Sequence, residues 1–568
     1  MQKTPILIAG GGPVGLMMAL ELDHHGIDAI LIERNTTTTR HPKMDITNGR
    51  SMELFRRLGV LEKLRAAAVP EDHPMSVIWI ESLLGEELAR FDYPSVDAMR
   101  GHLRADNDGS MALEPSMRIS QVELEPVLKR HLEETSDHIE LRFGWGLETF
   151  QQDEEGVTAT IKQTETGVVE EIRCDYLAGC DGANSVARRT LGIAINTITP
   201  LDYLEAGDDH HNYLDTDRGE PPADAPAPPG NFMIHWTSPD LDLFQRFGIA
   251  WHLQSPRGWT IISQNDRDTW TVHIPLAQIK DVETRDPKDI LFEFLGCEFE
   301  CDIKVANPWY PRLGLADAYG SGRVWLAGDA VHQVIPTGGY GMNSGLGDAL
   351  GLAWVFAANV QGWGGPELFQ AYEVERRHVG ARVRIGSARH ASVRMNIRRQ
   401  YDPKIHDDSV EAQGLRAELG KFIADAGNLE NEAWGIEWGY RYDNSSVIWH
   451  ESGESPAYEW EQYEPSTWPG VRAPNVFLDS GHPIHDHFGR GFTLLNFGTE
   501  DVSGFVEEAL RLQLPLTVVD IPDAHAAKLY ERPLVLLRPD QHVAWRGATL
   551  PDQDTIKEIF ECVRGMAV

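Results

Sequence analysis

Near the amino terminus a short apolar run, Pro5 to Ala9, meets Gly10-Gly11-Gly12-Pro13-Val14-Gly15 and then the apolar stretch Leu16 to Leu22. A second apolar run, Ala29 to Ile32, ends at Glu33, 18 residues past the third motif glycine. This order of strand, glycine turn, helix, strand and acid constrains the chain more than any other feature. One glycine makes the tight turn, one lets backbone approach a pyrophosphate, and one lets helix and strand pack closely; the acid can accept from a ribose hydroxyl. A glycine-rich turn with no ligand is the bland alternative. The flanking strands and the placed acid favour a dinucleotide-binding, Rossmann-like unit.

Beyond it, the segment from Asp45 predicts a helix opening near Thr47 or Asn48 and stopping at Gly59. A second helical pattern, Leu124 to Leu132, follows Arg118-Ile119-Ser120-Gln121. Between about 184 and 307 the pattern changes to apolar alternation, as in Phe247 to Leu253, Trp259 to Ser263 and Trp270 to Ile274, which predicts an antiparallel sheet. The Pro- and acid-rich run Asp215 to Gly230 reads as an exposed loop. A strand over Gly322 to Ala327 then ends at Gly328-Asp329, and a glycine-rich segment leads into a helix, Ser344 to Ala358. A longer helix follows, from Glu367 to about Arg399. From about Pro474, strands at Val476 to Leu478, Phe492 to Asn496 and Leu514 to Ile521, with a helix at Val502 to Leu512, form a compact α/β module.

Charge narrows the function classes. Asp and Glu number 87 against 51 Lys and Arg, a net charge of -36, which disfavours nucleic acid as a partner because phosphates are neutralised by cationic side chains. The five cysteines, Cys174, Cys180, Cys297, Cys301 and Cys562, are an odd number and argue for a reducing cytoplasm. No signal peptide or 18-residue apolar stretch is visible, so no membrane partner is expected. His482, His485 and His487 with Asp486 read as a solvated loop, and Cys297 with Cys301 lacks a second pair, so no metal is expected. The arginines of the long helix read as a solvated face pairing with acids. Asp208 to His211 reads as a wet loop.

Three motifs in order, G-G-G-P-V-G at Gly10 to Gly15, C-D-G-A-N-S at Cys180 to Ser185, and G-D-A-V-H-Q-V-I-P-T-G-G-Y-G-M-N at Gly328 to Asn343, resemble the FAD-dependent aromatic hydroxylases, the group A flavoprotein monooxygenases that include phenol hydroxylases. The resemblance covers about residues 5 to 400. The stretch from Arg472 resembles the extra carboxy-terminal domain of larger members, thioredoxin-like but without C-x-x-C. The implied fold is mixed α/β: an FAD-binding domain at 1–183 and 308–400, an antiparallel-sheet substrate domain at 184–307, and a linker with the thioredoxin-like domain at 401–568. The implied activity is NAD(P)H- and O2-dependent hydroxylation of a phenolic or related aromatic compound through a flavin C4a-hydroperoxide. Two alternatives stay open: a Baeyer-Villiger or epoxidising oxygenase on a polycyclic metabolite, and a flavin-bound dehydrogenase or redox sensor without oxygenation. Homodimerisation is also left open.

The residues expected at FAD are Gly10, Gly12, Pro13, Val14, Gly15 and Glu33 in the first unit and Gly328, Asp329, Pro336, Gly338, Gly339, Gly341, Met342 and Asn343 in the third motif. Between them the resemblance adds Arg50, Arg118, Gln121, Asp181 and Gly182, the last two also serving reduced nicotinamide. Pro336 stands at the catalytic face, and the substrate pocket is expected between 336–343 and one face of the middle sheet. By i, i+2 spacing, Met233, His235, Phe247, Ile249 and Trp251 are candidates to line it, with core packing as the alternative for each. Asp45, five residues before Arg50, matches the catalytic acid of phenol hydroxylases and is the candidate base for phenol deprotonation; a helix-capping role competes with it.

Overall fold

A computed structural model describes residues 1–198, 230–498 and 500–566. The loop expected at 215–230, apart from Gly230, and the Asp208 to His211 segment lie outside the described residues. The chain is mixed α/β, built on two large sheets and a smaller carboxy-terminal one. In the first, strands Val324–Leu326, Val169–Gly179, Gln2–Ala9, Ala29–Glu33 and Ile139–Phe143 lie side by side and parallel. Ile6, Leu7 and Ile8 are wholly buried, as a central strand covered on both faces requires. From Gln2–Ala9 the chain crosses to Ala29–Glu33 on one side, while Val169–Gly179 pairs on the other. The glycine turn therefore opens at a switch point of the sheet, outside its carboxyl ends, where ligands of such folds bind.

The second sheet runs in the order Asp302–Trp309, Asn231–Thr237, Thr269–Pro275, Thr260–Ser263, His252–Gln254, Val77–Ile80 and Glu87–Phe91. Its pairings are antiparallel except that of His252–Gln254 with Val77–Ile80. Two of its strands thus come from the first 183 residues. Phe232, Ile234 and Trp236 pack with Ile290, Leu291 and Phe294 of the helix Pro287–Leu295, leaving Met233 and His235 at the alternate positions. The strand expected over Phe247 to Leu253 shrinks to His252–Gln254. Gly248, at φ +96°, closes a turn with its N–H on the Gln245 carbonyl, and the chain stays irregular to Trp251.

The carboxy-terminal sheet has the order Leu516–Asp520, Phe492–Asn496, Leu534–Leu537, Val543–Gly547, with the first pair parallel and the others antiparallel. This is a thioredoxin-like arrangement. Val476 to Leu478 contributes only an isolated bridge, Phe477 to Pro483. Between the modules run the helices Tyr340–Val360, almost wholly buried, and Glu367–Arg399. The arginines of the latter pair with acids, as with Arg389 and Glu461 or Arg394 and Glu430, but only Arg398 and Arg399 are exposed and several are interior. Arg376 is 1% exposed and bound to Asp348, and Arg382 lies 3.8 Å over the Tyr458 ring. The 482–487 turn also departs from a solvated loop: His485 is buried against Phe488, and burial pushes its imidazole down to about 3. Among the described residues no helix is long and apolar enough to cross a membrane.

Candidate active site

The glycine turn is shaped by what a side chain would strike. A Cβ on Gly10, at φ +110°, would stand 2.2 Å from the Cys180 carbonyl oxygen, and one on Gly15 would stand 1.9 Å from the Gly10 oxygen. These two positions hold the strand ends and the helix Pro13–His24 together. Gly12 differs, because nothing lies within 4 Å of its would-be Cβ. It is the N-cap of that helix, followed by Pro13 and Val14, with no side-chain cap and no acid in the first turn. The open space and the positive helix end suit a diphosphate. Glu33 takes the Gly11 N–H at 2.8 Å and the Asn35 N–H at 2.9 Å, so it braces the turn from the end of its strand.

The third motif forms the facing wall. The carboxylate of Asp348 accepts from Gly328 N at 3.0 Å, His332 Nε2 at 2.8 Å and Arg376 Nε at 2.7 Å. Burial alone would raise its carboxyl; Arg376 and His332 outweigh burial and hold it below the usual range. The turn so fixed presents Asp329, whose carboxyl is exposed in the cleft and makes no hydrogen bond among the described residues; the enclosing protein raises it. Asp181 Oδ2 accepts from Val186 N and Ala187 N, while its Oδ1 is buried without a partner, and Gly182 beside it takes φ +76°. Pro336 is exposed and accepts from Gly339 N. Gly338 and Gly339 take φ +86° and +65°, and Gly339 is the N-cap of Tyr340–Val360, again without a side-chain cap or an acid in the first turn. Gly341 and Met342 lie in that first turn. Asn343 clamps it in place: Nδ2 donates to Gly339 O at 2.7 Å and Ile46 O at 3.2 Å, and Oδ1 accepts from Asn48 N at 3.0 Å and Ser51 Oγ at 2.7 Å. Two uncapped helix ends, an open glycine cradle and unpaired carboxyl oxygens fit FAD.

Other expected side chains are committed elsewhere. Arg50 donates to Glu53 at 3.1 Å, Gln541 Oε1 at 2.7 Å and the Asp540 carbonyl at 3.0 Å, so its guanidinium docks the carboxy-terminal module. Arg118 grips Asp266 with two bonds of 2.7 and 2.8 Å and ties the second sheet to the first module. Gln121 donates to Glu125. These are buried groups that need partners, and protein acids and carbonyls supply them.

Asp45 sits beside an apolar-walled cavity of about 940 Å3, its open mouth included, lined by Ile46, Asn48, Gly338, Asn343, Trp251 and Trp438 among others. The cap of the helix Gly49–Arg57 is Asn48, whose Oδ1 takes the Ser51 N–H at 3.0 Å. Asp45 is therefore free of capping. It accepts from Trp251 Nε1, and His252 Nε2 stands 3.7 Å behind. Burial would raise this carboxyl; His252, Trp251 and Arg118 together hold it below the usual range. Of the five expected lining residues only Trp251 borders the cavity. His235 bonds Thr271 at 2.9 Å, Met233 is buried, and Phe247 and Ile249 lie in the Gly248 turn, where i, i+2 spacing no longer places side chains on one face. The sequence reading missed Met75, Tyr93 and Trp438, which come from irregular segments, Met99 of the helix Val96–Asp106, and Trp434 and Glu437 of a helix of a single turn, too short to show periodicity. The Trp434–Trp438 pair was the one available signal.

Comparison with known proteins gives the same picture. Residues 3–386 match the FAD binding domain family and residues 466–567 match the aromatic-ring hydroxylase C-terminal family. An FAD-dependent monooxygenase of Emericella nidulans is 34% identical over 99% of this chain and 90% of its own length. The phenol 2-monooxygenase of a Pseudomonas species is 27% identical over 100% and 93%. The rebeccamycin biosynthetic enzyme RebC, solved with reduced flavin, superposes with a TM-score of 0.85 at 30% identity, covering 100% of this chain and 99% of that one.

Proposed function

The chain belongs to the FAD-dependent aromatic-ring monooxygenases, which draw on NAD(P)H and O2, and on that premise we propose that it hydroxylates a planar phenolic compound seated in the cavity beside Asp45. FAD, when bound, supplies the reducing equivalents and the activation of O2. Gly12 and the open helix end behind it would hold the diphosphate, Glu33 and Asp329 would accept from sugar hydroxyls, and the helix end at Gly339 to Met342 would receive the ring system. Asp181 and Gly182 complete the cofactor wall, and Pro336 lines the approach to it. Arg50 and Arg118 act at one remove, by holding the modules in register, and Gln121 braces its own helix through Glu125.

The chain's own part in the chemistry is to seat the ring, exclude water and take a proton. Attack on an electrophilic oxygen needs an electron-rich phenolate, and a free phenol has a pKa of about 10, near that of Tyr. Asp45, already ionised, accepts the phenolic proton as oxygen transfer proceeds, with His252 behind it to share the charge. Trp251 orients the carboxylate through its indole N–H and offers its face to the ring. The observation that carries this reading is the Asp45 carboxylate, freed of helix capping by Asn48 and turned to the cavity wall. A phenol panel scored for substrate-stimulated NAD(P)H oxidation and O2 uptake tests it. At least one phenol should stimulate both; stimulation by none would end the proposal.

A further inference from the structure

Glu437 closes the helix Trp434–Glu437 and lines both the substrate cavity and a smaller one behind it, where Asn48, Tyr340 and Asn343 also stand. Among the described residues its carboxyl makes no hydrogen bond and no ion pair. The charged neighbours are all engaged elsewhere. In the smaller cavity Arg50 is held by Glu53, Gln541 and Asp540, and Arg376 by Asp348 and Ser344. Around the larger one Glu430 is paired with Arg394, Glu114 with Arg56, and Glu432 with the hydroxyl of Tyr93. The remaining titratable neighbours are the phenols Tyr340 and Tyr440. Glu437 is half-buried, and with no cation beside it and Glu430, Glu432 and Glu114 around the same cavity its carboxyl favours the protonated form, which is a hydrogen-bond donor.

We infer that Glu437 donates a hydrogen bond from its carboxyl group to a carbonyl oxygen of a fused-ring phenol held in the cavity. This rests on the proposed hydroxylation and deepens it. Asp45 is the ionised acceptor beside Trp251 and matches a hydroxyl; Glu437 is the neutral donor beside Trp438 and matches a carbonyl. An ionised carboxyl bonded to Trp251 of the cavity wall and a neutral carboxyl in the cavity lining together select a planar hydroxy-ketone over a plain phenol. Burial pushes the Glu437 carboxyl up to about 8, with no opposing charge, so the donor is present below that pH and is lost as pH rises through it. Buried Tyr340 and half-buried Tyr93, whose hydroxyl donates to Glu432, have phenols raised above the ordinary range, so neither changes charge in that window.

The test is binding, read from the perturbed flavin spectrum of holoenzyme, with 2-hydroxyanthraquinone and its carbonyl-free counterpart 2-anthrol, from about pH 6 to about pH 10. Wild type should prefer the quinone by about five- to tenfold, the worth of one hydrogen bond, with the preference fading as pH rises through about 8. Glu437→Gln keeps an N–H donor and should retain the preference without that loss. Glu437→Leu should abolish the preference while leaving 2-anthrol affinity, flavin occupancy and melting temperature near wild type. Ionisation of the ligand itself is common to all three proteins, so the difference isolates Glu437. A Glu437→Leu protein that still prefers the quinone overturns the inference. So does a Glu437→Gln pH profile matching wild type, or a wild type that prefers neither compound or binds neither. Oxygen transfer to any phenol is read separately and decides the underlying function.

Discussion

At Asp45 a carboxylate that could have capped a helix instead faces an indole, and its worth can be measured. Asp45→Ala should lower hydroxylation by roughly 10²- to 10⁴-fold, the range of a positioned proton acceptor. Flavin occupancy and melting temperature should stay near wild type, because Asn48 carries the cap. Asp45→Asn should fall as far, since an amide keeps the shape and cannot take the proton. Steady-state rates with thermal melts of both variants check this, and normal rates in either would remove Asp45 from the chemistry. From sequence alone Asp45, Thr47 and Asn48 were equivalent, because all three side chains can satisfy a free N–H. Only the backbone path, with Asn48 extended and its amide oxygen on Ser51 N, separates them. Glu437 had no sequence signal at all: its state depends on walls contributed by residues hundreds of positions away.

The strand, turn and helix at the amino terminus were legible because periodicity, glycines and a placed acid all agree, and the thioredoxin-like strands at Phe492–Asn496 and Leu516–Asp520 for the same reason. The run Phe247 to Leu253 misled because alternation there coincides with a turn at Gly248, and periodicity carries no information about a positive φ. The glycines themselves give a paired prediction. Gly12→Ala places a methyl in the open cradle, so the apoprotein should melt near wild type while FAD affinity drops sharply. Gly10→Ala strikes the Cys180 carbonyl at a left-handed φ and should cost about 1–3 kcal/mol of folding stability as well. Apoprotein melts beside flavin titrations distinguish the two; equal destabilisation by both would show that Gly12 serves packing rather than the cofactor.

Over the whole molecule, buried ion pairs weld the modules. Glu53 accepts from Arg472 at 2.8 Å and from Arg50 at 3.1 Å, and Arg538 bridges Glu375 and Asp540, all nearly fully buried. The composition announced an acidic chain but not that its arginines would be interior, because the pairings that join the modules, Arg472 with Glu53 and Arg538 with Glu375, link segments far apart in sequence. Burial would raise the Glu53 carboxyl, but Arg472 and Arg50 hold it below the usual range. A depressed carboxyl contributes stability that is present above its unfolded value of about 4.3 and lost as pH falls through the folded value, so stability should decline progressively below about pH 4.5. Glu53→Gln leaves two buried arginines short of a counter-charge and should cost about 3–5 kcal/mol in denaturant unfolding, with the acid decline flattened. A cost under about 1 kcal/mol would mean water or other acids fill the gap. The central claim concerns where oxygen goes. Holoenzyme turned over with NAD(P)H, labelled O2 and a phenol that stimulates O2 uptake should yield a product carrying one labelled oxygen as a new ring hydroxyl, as read by mass spectrometry. Label found only in water or hydrogen peroxide, or in a lactone or epoxide, would contradict it.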